Sequence, residues 1–138
     1  MGCAFAVLFG GDIILILAFD DRQGLKELQT VLKELLGDKM CFQGFESAEK
    51  LLKTAEKHGY DIVFADVTYQ NRSGLLLLEE LSFRCPRTNY VAVAADLRES
   101  DAMTMNHLHG GYIQKPYDRE TLADTLSHLR YPINEAVI

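Results

Sequence analysis

Short apolar segments and amphipathic segments alternate five times along this chain. The first apolar segment reads IILILAF over residues 13–19. Continuous apolar runs of this length are typical of strands that are buried on both faces of a parallel sheet. The pattern predicts strands at residues 13–19, 40–45, 62–65, 90–95 and 112–114.

Each predicted strand is followed by a segment whose apolar residues recur at helical spacing. In the first segment Leu25, Leu28 and Leu32 fall on one stripe, and Ser47 can cap the second helix. The predicted helices include residues 25–36, 48–55, 74–84, 99–108 and 119–129. Strands that alternate with helices pair in parallel through right-handed crossovers, which places helices on both faces of the sheet. The predicted fold class is therefore α/β.

The same pattern predicts one domain with a short segment at each end. The domain spans residues 13–130, and residues 1–12 form an atypical apolar N-terminal extension. Residues 131–138 are a C-terminal tail or the start of a linker. The apolar part of the extension, Cys3–Phe9, is too short to span a bilayer, and no positively charged region precedes it as in a signal peptide.

Charged residues follow three of the predicted strands. Asp20 and Asp21 follow strand one, Asp66 follows strand three and Lys115 follows strand five. Because the carboxyl ends of parallel strands lie at one edge of the sheet, these residues should meet there. Three neighbouring carboxylates repel one another unless a cation neutralises them, and Mg²⁺ prefers oxygen ligands. A lysine beside them supplies positive charge for a phosphoryl group, so the set predicts phosphoryl transfer to an aspartate.

Three blocks of the sequence resemble the response-regulator receiver domain of two-component signalling, as found in chemotaxis regulators. LAFDD at residues 17–21 is similar to the acidic pair of the family, and GGYIQKP at residues 110–116 to its Lys-Pro motif. DIVFADVTYQNRSGLLLLEEL at residues 61–81 is similar to its phosphoacceptor block. The resemblance extends from about Ile13 to Leu129. It implies a flavodoxin-like fold with strand order 2-1-3-4-5.

The resemblance also implies a role for each residue of the predicted site. Asp66 would be the phosphoacceptor, and Asp21 would bind Mg²⁺ directly while Asp20 acts largely through water. The remaining Mg²⁺ ligands would be Asp66 itself and the backbone carbonyl of Thr68. Lys115 would pair with the phosphoryl oxygens.

The pattern of the family is kept at two further positions and lost at three. Tyr112 falls at the aromatic switch position, with a half-exposed strand tyrosine as the alternative, and the bond before Pro116 is expected to be cis. The usual Met-Pro pair of the phosphoacceptor loop is replaced by Tyr69 and Gln70. Ala94 stands where the family has the switch Ser or Thr.

Two hypotheses follow for the function, and a third class is disfavoured. The first is a receiver that accepts a phosphoryl group on Asp66 from a histidine kinase and signals through the face of helix four, strand five and helix five. The alternative is a degenerate, phosphorylation-independent interaction module, because Ala94 removes a hydrogen bond worth about 1.5–3 kcal/mol. Neither is an enzyme beyond self-phosphorylation and self-dephosphorylation. A haloacid-dehalogenase-like phosphatase would need a second acid where Thr68 stands, and a flavodoxin would need a phosphate-binding loop in place of Asp20 and Asp21.

Composition narrows the partners and the location. The net charge of −6 argues against nucleic-acid binding over the whole surface, so DNA would be reached only through an output domain that is not in this chain. The cysteines, Cys3, Cys41 and Cys85, have no C-x-x-C spacing, and their odd number predicts reduced thiols in a cytoplasmic protein. The resemblance implies a sensor histidine kinase or phosphotransfer protein as partner and leaves a homodimer open. We expect no binding to a membrane.

Overall fold

Five parallel strands form one sheet in the computed structural model, which describes residues 13–133. The strands are β1 (Ile14–Phe19), β2 (Met40–Phe45), β3 (Ile62–Asp66), β4 (Asn89–Ala94) and β5 (Gly111–Gln114). Their order is β2-β1-β3-β4-β5, and every neighbouring pair is parallel. The predicted flavodoxin-like order is therefore confirmed. The expectations for residues 1–12 and 134–138 lie outside the described residues.

Helices follow all five strands. They are α1 (Arg22–Leu36), α2 (Ala48–Lys57), α3 (Tyr69–Arg84), α4 (Glu99–His107) and α5 (Arg119–Ser127), with a 3₁₀ turn at Gly37–Lys39. At three helix starts the side chain of the N-cap residue accepts a backbone N–H bond, because the first backbone N–H groups have no partner within the helix. The Ser47 hydroxyl accepts from the Lys50 amide as the sequence predicted, Asp21 accepts from Gly24, and Asp118 accepts from Thr121.

The helices cover the sheet from both sides and form two hydrophobic cores. One core lies under α2, α3 and α4 and includes Leu51, Leu78 and Met105. The other lies under α1 and α5 and includes Leu32 and Leu122. Both faces of the central strands are buried, which explains why their sequence is continuously apolar. The charged residues stand at the ends of these strands, where the two cores stop.

The start of α3 differs from the sequence-based expectation of a helix from residue 74. The helical hydrogen bonding begins at Tyr69, but Gln70, Asn71 and Arg72 have φ angles of 50°, 56° and 67°. Three consecutive non-glycine residues therefore form a left-handed turn before the regular part of α3. Left-handed backbone costs roughly 1–2 kcal/mol per L-residue, so contacts elsewhere must hold this turn in place.

The cysteines are only partly as predicted. Cys85 is a free, half-buried thiol. Cys41 is buried on β2 but is disulfide-bonded, so the expectation of a reduced thiol is wrong for this residue. Within residues 13–133, none of the helices has the length and apolar character that crossing a bilayer requires.

Candidate functional site

Three charged side chains meet at the carboxyl edge of the sheet. Asp20 directly follows β1, Asp66 is the last residue of β3, and Lys115 directly follows β5. The Lys115 Nζ lies 2.7 Å from Asp20 Oδ2 and 2.7 Å from Asp66 Oδ2. Both carboxylates are buried: the exposed fraction of the residue is 6% for Asp20 and 5% for Asp66. The fold thus brings together side chains separated by up to 95 positions in sequence.

Asp66 is held by its own loop as well as by Lys115. Its Oδ1 accepts hydrogen bonds from the Thr68 amide at 2.8 Å, the Thr68 hydroxyl at 2.7 Å and the Tyr69 amide at 3.0 Å. The sequence-based prediction gave Thr68 a role only through its carbonyl and missed the hydroxyl. The signal was present, since an Asp followed two residues later by Thr is typical of a side chain that bonds its own backbone.

The close packing of α3 on the phosphoacceptor segment explains the spacing between Asp66 and Gly74. A Cβ atom at Gly74 would lie 2.1 Å from the carbonyl oxygen of Asp66, which is far inside van der Waals contact. Gly24 has the same relation to Asp20, because a Cβ atom there would lie 2.1 Å from Asp20 Oδ2. The two glycines let α1 and α3 approach the acidic site.

The electrostatics differ between the two buried carboxylates. Burial raises the pKa of Asp66, but the hydrogen bonds from Lys115 and Thr68 outweigh it and hold the pKa below the ordinary value. Burial, with the negative charge of Asp66 as a smaller cause, raises the pKa of Asp20 despite its bond to Lys115. Burial lowers the pKa of Lys115, but the opposite effect of its two carboxylate partners is larger. The pKa of Lys115 is therefore above its ordinary value, and the ammonium stays charged. Asp66 is therefore the more acidic of the two buried carboxyl groups.

Asp21, the predicted direct metal ligand, lies outside this cluster. Its side chain is exposed, and its Oδ1 accepts from the Gly24 amide at 2.7 Å to cap α1. Within residues 13–133, no group of three or more His, Cys, Asp or Glu side chains is arranged to hold a metal ion. The ammonium of Lys115 instead lies between the two buried carboxylates.

The donor set nevertheless suits a hard divalent cation. The three acids carry more negative charge than Lys115 can neutralise, and all their donor atoms are oxygens. Lys115 engages Oδ2 of both Asp20 and Asp66, while Asp21 uses one oxygen for its cap. A cation held by these residues would therefore compete with Lys115 for the Oδ2 atoms of Asp20 and Asp66.

The predicted switch positions lie on β4 and β5 beside the site. Ala94 ends β4, is fully buried, and its carbonyl accepts from the Lys115 amide at 2.8 Å. Tyr112 is 42% exposed on β5. The Lys115–Pro116 peptide bond is cis. A groove of about 550 Å³ opens next to Lys115, between α1 and the segment that follows β5.

Known proteins resemble the chain in both sequence and structure. The model of the response regulator receiver domain family matches residues 15–127. The chemotaxis protein CheY4 of Vibrio cholerae is 19% identical, with a TM-score of 0.71 over 83% of this chain and 96% of that chain. A CheY-like receiver domain of Methylobacillus flagellatus is 28% identical, with a TM-score of 0.64 over 81% of this chain and 94% of that chain.

A third solved structure contains a modified aspartate. It is a response regulator of Burkholderia pseudomallei with a phosphorylated aspartic acid, a calcium ion and citrate, and it is 19% identical with a TM-score of 0.69. The match covers 83% of this chain and 66% of that chain, so this chain spans just under two thirds of that protein. No protein of curated function matches the chain. Because the family model extends over most of the sequence and the sheet has the strand order expected for it, the chain belongs to the response regulator receiver domains, the signalling modules of two-component systems.

Proposed function

We propose that Asp66 accepts a phosphoryl group from a histidine kinase or a phosphotransfer protein. The observation that carries the proposal is a buried carboxylate whose pKa is held low and whose Oδ2 lies 2.7 Å from the Lys115 ammonium. A low pKa keeps the carboxylate ionised and therefore nucleophilic at neutral pH.

The hydrogen bonds around Asp66 favour one oxygen as the nucleophile. Oδ1 already accepts three bonds from Thr68 and Tyr69, so we assign the attack to Oδ2. Oδ2 forms a bond to the phosphorus of a phosphohistidine while the phosphorus–nitrogen bond breaks. The bonding electron pair stays on the imidazole nitrogen, which takes up a proton. Lys115, beside Oδ2, then pairs with the oxygens of the transferred group.

Receiver domains bind a divalent metal ion, and we infer that the ion here is Mg²⁺. Asp21 and Asp66 would hold it with the backbone carbonyl of Thr68, and Asp20 would act largely through water. The bound ion would neutralise negative charge on the phosphoryl group. The Burkholderia pseudomallei regulator contains a calcium ion together with its phosphorylated aspartic acid, which supports the binding of a divalent ion.

Partners and location follow from the same proposal. The phosphodonor would reach Asp66 from the carboxyl edge of the sheet, where Asp66 ends β3. The output would pass through the face of α4, β5 and α5, either to another protein or to a second copy in a homodimer. DNA would be reached only through an output domain outside this chain. We place the protein in the cytoplasm, where histidine kinases expose their phosphohistidine.

Ala94 motivates a second candidate, a receiver that works as a phosphorylation-independent interaction module. The residue is buried at the end of β4 and has no hydroxyl that could bond a phosphoryl group. Moving a two-state equilibrium from 1:99 to 99:1 requires about 5.5 kcal/mol, and the missing bond is worth about 1.5–3 kcal/mol of that. Under this candidate Asp66 is phosphorylated without effect on the output face, or not at all.

Phosphodonor treatment of the purified chain distinguishes these candidates. The chain is incubated with Mg²⁺ and either acetyl phosphate or beryllofluoride, with Asp66→Asn as the control variant. Intact mass after acetyl phosphate should show one added phosphoryl group, absent from the control. Amide NMR shifts near Ala94 and Tyr112 should change with beryllofluoride. Modification without these shifts would favour the interaction module, and an unmodified wild type would refute phosphoacceptance.

A further inference from the structure

A partly buried ion pair joins the phosphoacceptor loop to α4. The Arg72 guanidinium Nη2 donates to Asp101 Oδ1, and the Asp101 side chain is 1% exposed while that of Arg72 is 28% exposed. Asp101 lies in the first turn of α4, where its Oδ2 accepts from the Arg98 amide at 3.0 Å. The carboxylate that receives Arg72 is therefore the one that caps the start of α4.

Arg72 reaches Asp101 from the left-handed turn of residues 70–72. Its own φ is 67°, and that of Gln70 is 50°. Gln70 stands where the family usually has the proline of its Met-Pro pair, and proline fixes φ near −65°. This turn can therefore form only because that proline is absent. The departure of the sequence from the family and the ion pair to α4 are parts of one local structure.

The same segment is attached to Asp66 on both sides of the turn. Before it, the Thr68 and Tyr69 amides donate to Asp66 Oδ1. After it, the backbone at Gly74 packs against the Asp66 carbonyl so closely that a Cβ atom would not fit. Residues 70–72 therefore lie between two attachments to Asp66, and Arg72 extends from them to α4.

We propose that Arg72 is a positioning residue that couples the phosphoacceptor loop to α4 through Asp101. Ala94 has no hydroxyl that could couple the phosphoryl group to the rest of the domain, and Arg72 takes over this role. The coupling to phosphorylation rests on the proposed function of Asp66. Strained backbone that bears a charged contact to another helix is suited to such a role, because modification of Asp66 and movement of α4 then shift the same equilibrium.

Coupling is reciprocal, so it can be tested in the unmodified protein. Asp101→Asn keeps the size of the side chain and removes its charge, and NMR reports the Thr68 and Tyr69 amides. We expect Asp101→Asn to shift these amides in the wild-type background and to leave them unchanged in an Arg72→Met background. Equal shifts in both backgrounds, or none in either, would overturn the proposal. This experiment does not require phosphorylation.

Hydrogen exchange of α4 tests the link to Asp66 itself. In wild type, exchange of residues 99–107 should change upon treatment with beryllofluoride and Mg²⁺. In Arg72→Met, Asp66 should still be modified, while α4 exchanges about tenfold faster before treatment and no longer responds to it. Arg84→Met is the matched control, because Arg84 lies on the same helix and pairs with the exposed acids Glu56 and Glu80. It should respond as wild type does.

A second variant tests the turn rather than the charge. Gln70→Pro excludes the observed φ at residue 70 and leaves both Arg72 and Asp101 in place. We expect it to abolish the response of α4 while Asp66 is still modified. If α4 responds normally in Arg72→Met and in Gln70→Pro, the coupling proposal is wrong and phosphoacceptance stands. If wild-type Asp66 is never modified, the proposed function fails, and the amide-shift experiment alone decides whether Arg72 couples the loop to α4.

Discussion

At the scale of single residues, Lys115 determines the electrostatic character of the site. Its ammonium lies 2.7 Å from each of two buried carboxylates that terminate different strands. Burial alone raises the pKa of both acids, and only for Asp66 do the hydrogen bonds outweigh it. The bond to Lys115 and the donors on Thr68 keep Asp66 ionised, so the lysine prepares the nucleophile before any donor arrives.

Replacing this lysine should change both stability and its dependence on pH. We expect Lys115→Met to lower the free energy of unfolding by about 2–3 kcal/mol at pH 7 without metal ions, because two buried charges lose their partner. The pKa of Asp66 in the folded wild type is below the ordinary value of an aspartate. The stabilising contribution of Asp66 is therefore fully present above the ordinary pKa and is lost as pH falls through the lowered pKa. The difference between variant and wild type should therefore shrink towards about pH 3.

Urea unfolding at these two pH values, in buffer with a chelator, measures the difference. Lys53→Met is a suitable control, because Lys53 pairs with Glu49 on the exposed face of α2. Such an exposed pair is worth under about 1 kcal/mol. A loss for Lys115→Met that is as small as for the control, or that grows at low pH, would contradict the assigned electrostatics.

At the scale of elements, the contact between α3 and the end of β3 brings the phosphoacceptor loop into position. Gly74→Ala should lower the free energy of unfolding by more than about 3 kcal/mol, since its Cβ would meet the Asp66 carbonyl oxygen at 2.1 Å and backbone must move. Gly59→Ala adds the same methyl group at a position where nothing lies within 4 Å. Chemical denaturation of both variants gives the comparison. A Gly74→Ala protein as stable as Gly59→Ala would show that α3 does not need this approach.

The same region shows how far the sequence alone could predict the structure. Strands, their order and the convergence of Asp20, Asp66 and Lys115 followed from apolar periodicity and the rules for parallel sheets, because those depend on local pattern and topology. The turn at residues 70–72 did not follow, because only Asn71 of the three belongs to a residue type that is enriched in left-handed backbone. The ion-pair partner of Arg72 in this turn is Asp101, which lies 29 positions away in sequence. A tertiary contact of this kind leaves no periodic trace.

Asp21 illustrates a second limit at the scale of elements. Its position beside Asp20 predicted a role at the acidic site, but the side chain caps α1 instead. Asp is among the residues preferred at this position of a helix, so one side chain serves two needs that the sequence cannot separate. The cap uses Oδ1 alone, which is compatible with a rotation towards a metal ion.

At the scale of the whole molecule, excess negative charge at one edge of the sheet links cation binding to stability. Two buried acids share one lysine there and Asp21 lies next to them in sequence, within a chain whose net charge is −6. Any ion that binds the folded state and not the unfolded state stabilises the fold, by about 1.4 kcal/mol for each tenfold rise in concentration above the dissociation constant. Thermal or urea unfolding in increasing Mg²⁺ should therefore show a steady gain, which a chelator reverses.

Asp21→Asn gives this measurement its specificity. Asparagine caps a helix about as well as aspartate, so the variant should keep α1 intact and lose most of the gain from Mg²⁺. Asp38→Asn removes one charge from the 3₁₀ turn after α1 and should keep the whole gain, because Asp38 belongs to no part of the site. If Mg²⁺ stabilises the three proteins equally, the effect is general screening of an acidic surface rather than binding. A gain confined to proteins with Asp21 would mean that this carboxylate takes part in holding the ion.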